Sequence, residues 1–474
     1  MTASPSAPGN IVDWEQLPAR LAADAGFLPI GIRQILIGAG VLDRLPAAVA
    51  ELRAGRTGET VLLRDTVAKR HGDRDLHAAV AAALGSTGPV REVVLAGAHG
   101  VLHADEAATE AVVARTAGAA VLVTVGSGTL ADLGKVAAAA HDLPHAVVQT
   151  AASVNGFADD QSVLLRSGVK RTVASRYPDV LVVDADVLAC APAALNRAGV
   201  GDLLSMFTAP ADWLLADRAG FPAGYQQAAV DLVRPHGELL LGLAPQLAAA
   251  DPGALARLAE LLTLSGMSMG VSGCTTPSSG LEHLVSHLLD MHASAGGYDP
   301  GSHGSQVGVG SLVASVTWAR VRGALAAGTA AQLTLPTPDE ARSRVEAAFG
   351  HLDPGGRTAA ECWNAYSVKL GLLNDRLPQL RELLERWEEF DARAGAVLIA
   401  PERLAGTLAV LGAPTRFADL GPGYAPEVAR WAIGSAHLMR ERFTVADLAD
   451  LLGLGGPAGT EAVLSDLAAL GAGR

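Results

Sequence analysis

Three side chains of metal-ligand type stand out in this 474-residue chain: Asp202 in RAGVGDLLSMFTAPADW, His283 in SSGLEHLVSHLLDMH and His303 in PGSHGSQVGVG. One carboxylate and two imidazoles suit Zn²⁺, Ni²⁺ or Fe²⁺ and leave a coordination position open for a substrate oxygen. His287 follows His283 by four residues, so both rings share one face of a helix. Ser279, with Glu282 three residues on, is the expected N-cap of that helix. Because Glu282 precedes the first histidine, this is not the HExxH zinc motif. Each residue also admits a plainer reading. Asp202 can be a helix-start acid favoured by the dipole, the histidine pair partly exposed helix residues, and His303 a surface residue of the Gly/Ser loop before an apolar helix. Spacing alone does not bring the three together, because they lie far apart in sequence.

A second group of residues carries ligand-binding rather than metal chemistry. In VLVTVGSGTLADLGK, residues 121–135, a β-branched strand runs into Gly126-Ser-Gly128-Thr129 and then into a helix. Small residues there let the backbone approach a pyrophosphate, whose oxygens the free N–H groups of the helix start can bind. The stretch fits G-x-G-x-x-A, yet it follows the fourth strand and lacks an acidic residue about 20 positions on, as the dinucleotide fingerprint asks. A tight strand-to-helix turn explains it equally well. In PHAVVQTAASVNGFADD, residues 144–160, a strand ends in Thr150, Ser153, Asn155 and the Asp159-Asp160 pair. A solvated loop is the competing reading, since Asn-Gly forms turns in any protein.

The elements that must position these groups divide the chain in two. Up to about residue 185, β-branched runs at Ile32–Ile37, Thr60–Leu63, Glu92–Leu95, Ala120–Val125, Ala146–Gln149 and Val180–Val183 alternate with helical stretches such as Asp105–Thr116 and Leu130–His141. That alternation predicts βαβ units and a parallel, Rossmann-like sheet, whose ligands collect at the carboxyl ends of its strands. Beyond it, Ala/Leu/Glu/Arg runs of helical spacing dominate, with a loose capping signature at Thr444-x-x-Asp447. The expectation is an α/β domain over residues 1–186 and an all-α domain over 187–474.

Composition narrows the function classes. Half the residues are apolar and 18% charged, the formal net charge is -13, and no basic block is present. This argues against nucleic acid or an anionic membrane as the main partner. Cys190, Cys274 and Cys362 are odd in number and form no CxxC pair, which fits a reducing compartment. The opening MTASPSAPGN has no basic region followed by an apolar stretch, and no apolar run reaches the roughly 20 residues of a spanning helix. The expected location is the cytoplasm.

These segments, in this order from about residue 30 to 455, resemble the bacterial type of the glycerol-1-phosphate dehydrogenase branch of the metal-dependent alcohol dehydrogenase and dehydroquinate synthase-like superfamily. GSGTLADLGK is similar to its NAD loop and TAASVNG to its nicotinamide-side loop. GVKRTVASRYPDVLVVDADVL with AGVGDLLSMFTAPADW is similar to its central signature, SGLEHLVSH and HGSQVGVG to its metal-histidine segments, and AHLMRERFTVADL to a C-terminal stretch of bacterial members. The resemblance implies a dehydroquinate synthase-like fold, with dinucleotide binding by the first domain and metal and substrate binding by the second. It makes Asp202, His283 and His303 the ligands of one divalent ion, and His287 a substrate-contacting group. It puts Gly126, Gly128, Thr129, Asp132 and Lys135 in the dinucleotide site, Thr150 and Ser153 beside the nicotinamide, and Asp65 at the adenosine ribose.

Two positions depart from that pattern. Asn155 stands where the family usually has a substrate-binding Asp, and Asp159 where a Ser commonly contacts the cofactor. An added acidic pair near a phosphorylated ligand is repulsive unless it points away. The reaction implied is reversible, metal-dependent, NAD- or NADP-linked interconversion of dihydroxyacetone phosphate and sn-glycerol 1-phosphate. Another ketose, polyol or cyclitol is the alternative the departures raise. Further alternatives are a dehydroquinate synthase-like cyclase, which would need several Lys and Arg side chains, and a non-catalytic NAD-binding sensor. A homodimer is implied by resemblance alone.

Overall fold

The computed structural model describes residues 10–24, 26–97, 102–166, 169–328 and 332–471. The reading of the amino terminus rests largely on residues 1–9, which lie outside the described residues. The chain forms two compact units, Met1–Val200 with Glu238–Cys274, and Gly201–Gly237 with Thr275–Arg474.

Among its described residues the first unit has ten strands: β1 (Gln34–Gly38), β2 (Thr60–Asp65), β3 (Arg70–His71), β4 (Arg74–Asp75), β5 (Val90–Leu95), β6 (Val121–Gly126), β7 (His145–Gln149), β8 (Gln161–Arg166), β9 (Val169–Ala174) and β10 (Val180–Asp184). Six of them make one parallel sheet in the order β1-β10-β7-β6-β2-β5, while β3-β4 and β8-β9 pair as antiparallel ribbons. The six sheet strands are those expected from the β-branched runs, shifted by two residues at most. β6 and β7 are buried at every position because helices cover both faces. Val121, Val123 and Val125 point to one face, against Leu45, Val49, Leu52, Leu76, Val80 and Leu84. Leu122 points to the other, against Leu130, Leu133, Ala137 and Ala138 of the helix Gly128–His141. Each such fully buried Val or Leu contributes roughly 1.5–3 kcal/mol relative to exposure, so the apolar β6 run fixes that strand at the centre of the sheet.

The change of pattern near residue 186 marks where the strands end, not where the compact unit ends. The helix Pro252–Ser272 packs on β1, on β10 and on the short turn Gly156–Ala158, all in the first unit. Ala152 N–H donates to Asn196 Oδ1 at 2.9 Å, and Asn155 Nδ2 donates to Ser265 Oγ at 3.0 Å. These contacts join residues 190–200 and 252–272 to the sheet, so a single division at 186/187 does not describe the packing.

The second unit is all-helical among its described residues. At its centre the helices Leu281–Gly296 and His303–Ala326 pack along each other. Around them lie Ala209–Arg218, Pro401–Leu411, Pro426–Ser435, Val445–Leu451 and Gly456–Ala469. Glycines permit close helix approach: a Cβ on Gly310 would stand 2.5 Å from Glu282 O and 3.0 Å from Glu282 Cα.

Candidate functional site

Asp202, His283 and His303 converge in the second unit, with one donor atom from each lying within 4.8 Å of the others. Asp202 Oδ1 is 3.6 Å from His283 Nε2 and 3.9 Å from His303 Nε2. Ligand atoms about 2.0–2.2 Å from a shared ion stand at comparable separations from one another, so the donor set and its spacing fit a divalent metal.

The local structure explains the convergence. Asp202 is next to last in the helix Ala193–Leu203, and it is buried. The expectation of a helix-start acid therefore does not hold. A carboxylate in a helix's last turn faces the negative end of the dipole, which makes a cationic partner there more valuable. The neighbouring Gly201 has no Cβ, and any side chain on it would collide with the Gly304 carbonyl beside His303. His303 is the first residue of its helix, following Ser302, rather than part of the preceding loop.

Both rings are oriented through their far nitrogens. His283 Nδ1 is 3.0 Å from Glu282 Oε1, and Glu282 is itself held by Thr208 Oγ1 at 2.7 Å and by the Gly280 N–H. His303 Nδ1 is 3.1 Å from Ser286 Oγ. Burial alone would lower the His283 pKa, but the hydrogen bonds its ring donates to the Asp202 and Glu282 carboxylates outweigh it and push it up to about 9. The pocket therefore favours positive charge at this ring, whether proton or metal ion. Metal-binding histidines commonly have such partners on the non-ligating nitrogen.

His287 lies one turn beyond His283, and its ring centroid is 6.2 Å from that of His303. The cap of this helix is Gly280, not Ser279. Ser279 Oγ instead accepts from Arg442 Nη1 at 2.6 Å, and Arg442 Nη2 donates to Thr275 Oγ1 at 2.9 Å. Thr444 and Asp447 do form the expected capping box. Buried Asp212 accepts from Leu281 N–H at 2.8 Å, Val445 N–H at 2.9 Å and Trp318 Nε1 at 3.1 Å. Burial, reinforced by nearby Glu282, pushes its pKa up to about 8. Through Arg442 and Asp212 the AHLMRERFTVADL stretch is tied to the start of the histidine helix.

The nucleotide-loop candidates belong to the first unit. Gly126 ends β6 and Gly128 begins a 14-residue helix whose first N–H groups have no acceptor within it. Thr129 is half-buried in its first turn. Thr150 follows β7 and donates its N–H to Gly126 O at 3.1 Å; it and Ser153 are buried. Asp65 ends β2, where its carboxylate pairs with Lys69 and accepts from Val67 N–H at 3.2 Å.

Buried Lys135 and Asp159 form a charge cluster with the half-buried Asp132. Lys135 Nζ is 2.7 Å from Asp159 Oδ1 and 3.4 Å from Asp132 Oδ1. Burial by itself would lower the lysine's pKa, but Asp159 and Asp132 hold the ammonium charged, above its ordinary value. Burial pushes the Asp132 carboxyl up to about 6, against the pull of Lys135. The acidic residue that departs from the family pattern is thus neutralised by a lysine side chain within the fold.

Sequence reading missed four orienting groups and one buried amide. Glu282 was visible as the residue before His283. Ser286, Gln306 and Tyr424 carried no local signal. Gln149, at the carboxyl end of β7 opposite Gly126, is 1% exposed, and neither of its amide atoms has a hydrogen-bond partner among the described residues. A second donor cluster, His71, Asp184 and Asp186, has a structural role: Asp184 caps the helix Ala185–Ala189 and accepts from Leu42 N–H at 2.9 Å.

Comparison with known proteins completes the picture. A family model described as iron-containing alcohol dehydrogenase matches residues 36–192. An NAD(P)+-linked glycerol-1-phosphate dehydrogenase of Methanosarcina acetivorans is 29% identical over 325 residues, covering 67% of this chain and 82% of that one. The like-named enzyme of Bacillus licheniformis is 32% identical over 289 residues, covering 60% of this chain and 70% of that one. A solved structure of a probable glycerol dehydrogenase from Sinorhizobium meliloti shares the fold, with a TM-score of 0.57 at 20% identity over 93% of this chain and 98% of that one.

Proposed function

The chain belongs to the glycerol-1-phosphate dehydrogenase branch of the iron-containing alcohol dehydrogenases, and on that premise we propose that it reversibly reduces dihydroxyacetone phosphate to sn-glycerol 1-phosphate. The cosubstrate is NAD or NADP, bound by the first unit. One Zn, Ni or Fe ion is held by Asp202, His283 and His303 in the second. The observation that carries this reading is the convergence of those three residues, with both imidazoles presenting Nε2 to one buried carboxylate. A divalent ion at that point supplies Lewis acidity toward a substrate carbonyl or alkoxide oxygen.

The chain's own groups do the rest. Asp202 contributes negative charge that binds the cation, while Glu282 and Ser286 keep the two rings turned toward it. His287 is the group that contacts substrate and passes a proton to or from the reacting oxygen, a role supported by its ring lying 6.2 Å from that of His303. The Gly126-Ser-Gly128 turn and the helix after it bind the dinucleotide pyrophosphate, with Thr150 and Ser153 on the nicotinamide side. Asp159 pairs with Lys135, whose ammonium also donates to the Gly156 carbonyl of the Gly156–Ala158 turn. A homodimer in the cytoplasm is the expected form, and among the described residues no helix is long and apolar enough to cross a membrane.

Asn155 supports a second reading of the substrate. Its side chain donates to Ser265, and as an amide it brings neither the charge nor the proton-transfer capacity of a carboxylate. On that reading the substrate is a related ketose or cyclitol. A cyclase acting on a carboxylated phosphosugar fits less well, because the chain has only four lysines and Lys135 and Lys369 are buried in ion pairs. The test is a panel of phosphorylated and plain ketones with NADH and NADPH, before and after metal removal and re-addition. Asp202→Ala and His303→Ala should lose both bound metal and turnover, and retention of both by either variant refutes the assignment.

A further inference from the structure

The orientation of His303 is set by a directional chain of hydrogen bonds that reaches well beyond the three ligand residues. Tyr424 Oη donates to the Pro300 carbonyl at 2.7 Å, which uses its only proton. Gln306 Nε2 donates to the same carbonyl at 2.8 Å and to Tyr424 Oη at 3.2 Å. A carbonyl oxygen can only accept, so the amide nitrogen must face Pro300 and the amide oxygen must face the other way. That oxygen accepts from Ser286 Oγ at 2.7 Å. A serine hydroxyl has one hydrogen, already committed to Gln306, so toward His303 Nδ1, at 3.1 Å, Ser286 can only accept. The proton of a neutral His303 ring therefore sits on Nδ1, and the Nε2 lone pair faces Asp202. Ser286 and Gln306 are fully buried and Tyr424 nearly so, which leaves water little opportunity to reverse the sequence.

We infer that Ser286, Gln306 and Tyr424 are positioning residues that lock His303 in its metal-ligating tautomer. His283 is held in the same sense by a different device, the Glu282 carboxylate. Resting on the reading that Asp202, His283 and His303 hold a metal ion, the inference adds residues that touch neither metal nor substrate. The chain of bonds spans 139 positions, from Ser286 to Tyr424, within one compact unit.

The experiment uses the full chain with zinc alone as probe and reads its dissociation constant by competition with a chromophoric chelator. The parent should bind one zinc per chain. Ser286→Ala and Gln306→Leu should raise the dissociation constant by about 10–100-fold, the usual cost of losing a partner behind a metal-bound histidine. Tyr424→Phe, which removes one buried oxygen and leaves the ring, should shift it in the same direction by less. The visible bands of the cobalt-loaded protein should change in Ser286→Ala, a signature that a merely structural role for the serine would not produce. Affinities within about threefold of the parent for folded Ser286→Ala and Tyr424→Phe, with unchanged cobalt bands, overturn the inference. Failure of the parent to bind zinc overturns the metal reading itself, so the two failures are distinguishable.

Discussion

Gly310→Ala tests whether close helix approach builds the ligand set. The added Cβ would stand 2.5 Å from Glu282 O, and real Cβ atoms do not come closer than 3.0 Å to such neighbours. The helices Leu281–Gly296 and His303–Ala326 must therefore separate at that point by at least about 0.5 Å, the difference of those two distances. Glu282 precedes His283 and holds its Nδ1, whereas Gly310 lies two turns after His303 on the same helix face, so the separation falls between the two histidine ligands. Metal–ligand distances tolerate about 0.2 Å, less than half the required shift. A loss in zinc affinity of at least about tenfold is expected, comparable to deleting an orienting partner. Overpacking should also cost about 1–3 kcal/mol of stability. Gly371→Ala is the control, since its Cβ would meet nothing within 4 Å and its site is also helical. That variant should keep parental zinc affinity and gain about 0.5–1 kcal/mol. Chelator competition measures the first quantity and urea unfolding the second. A folded Gly310→Ala that binds zinc as the parent does would refute the reasoning, because the helices would then have absorbed the methyl without moving the ligands.

Other perturbations address the first unit. Lys135→Met strands the Asp159 carboxylate in the interior and should cost about 3–5 kcal/mol in urea unfolding, much of it recovered when Asp159→Ser is added; a loss in the single variant below about 1 kcal/mol would show that the pair does not carry the cluster. Burial holds the His145 pKa down to about 3, so the folded state resists a proton that the unfolded chain accepts near 6.5. Stability linked to this ring is present above the unfolded value and is lost as pH falls through it toward 3. At about 1.4 kcal/mol per unit, moving from pH 7 to 5 should cost the parent about 2 kcal/mol more than His145→Asn, and equal losses would contradict the assignment. Gln149→Met should stabilise the chain by about 1–3 kcal/mol, by removing a buried amide without a partner among the described residues, while raising KM for NADH or NADPH. A stabilised variant with parental KM would place Gln149 outside the nucleotide site.

How far the sequence could be read depends on whether the relevant physics is local. The central strands β6, β7 and β10 are apolar, β-branched runs because both of their faces are covered, and that composition is visible without coordinates. The helices of the second unit were legible for the same kind of reason, and the Thr444–Asp447 cap because its two partners lie three residues apart. Asp202 reads as a helix-start acid because an apolar segment follows it, whereas it closes the helix Ala193–Leu203. Gly199 and Gly201 lie inside that helix, where their cost in helix propensity is accepted so that other backbone can come close. Ser279 was misread because its side chain is taken by Arg442, 163 positions away. The same distinction separates the metal ligands from the groups that aim them. A ligand must be a particular chemical type, so Asp202, His283 and His303 can be nominated from sequence once resemblance gives them company. A hydrogen-bond relay needs only some donor and some acceptor at each step, roles that serine, glutamine and tyrosine fill throughout the chain. What makes Gln306 informative is the fixed polarity at its two ends, Pro300 carbonyl on one and Ser286 hydroxyl on the other, and that polarity exists only after the fold has brought them together.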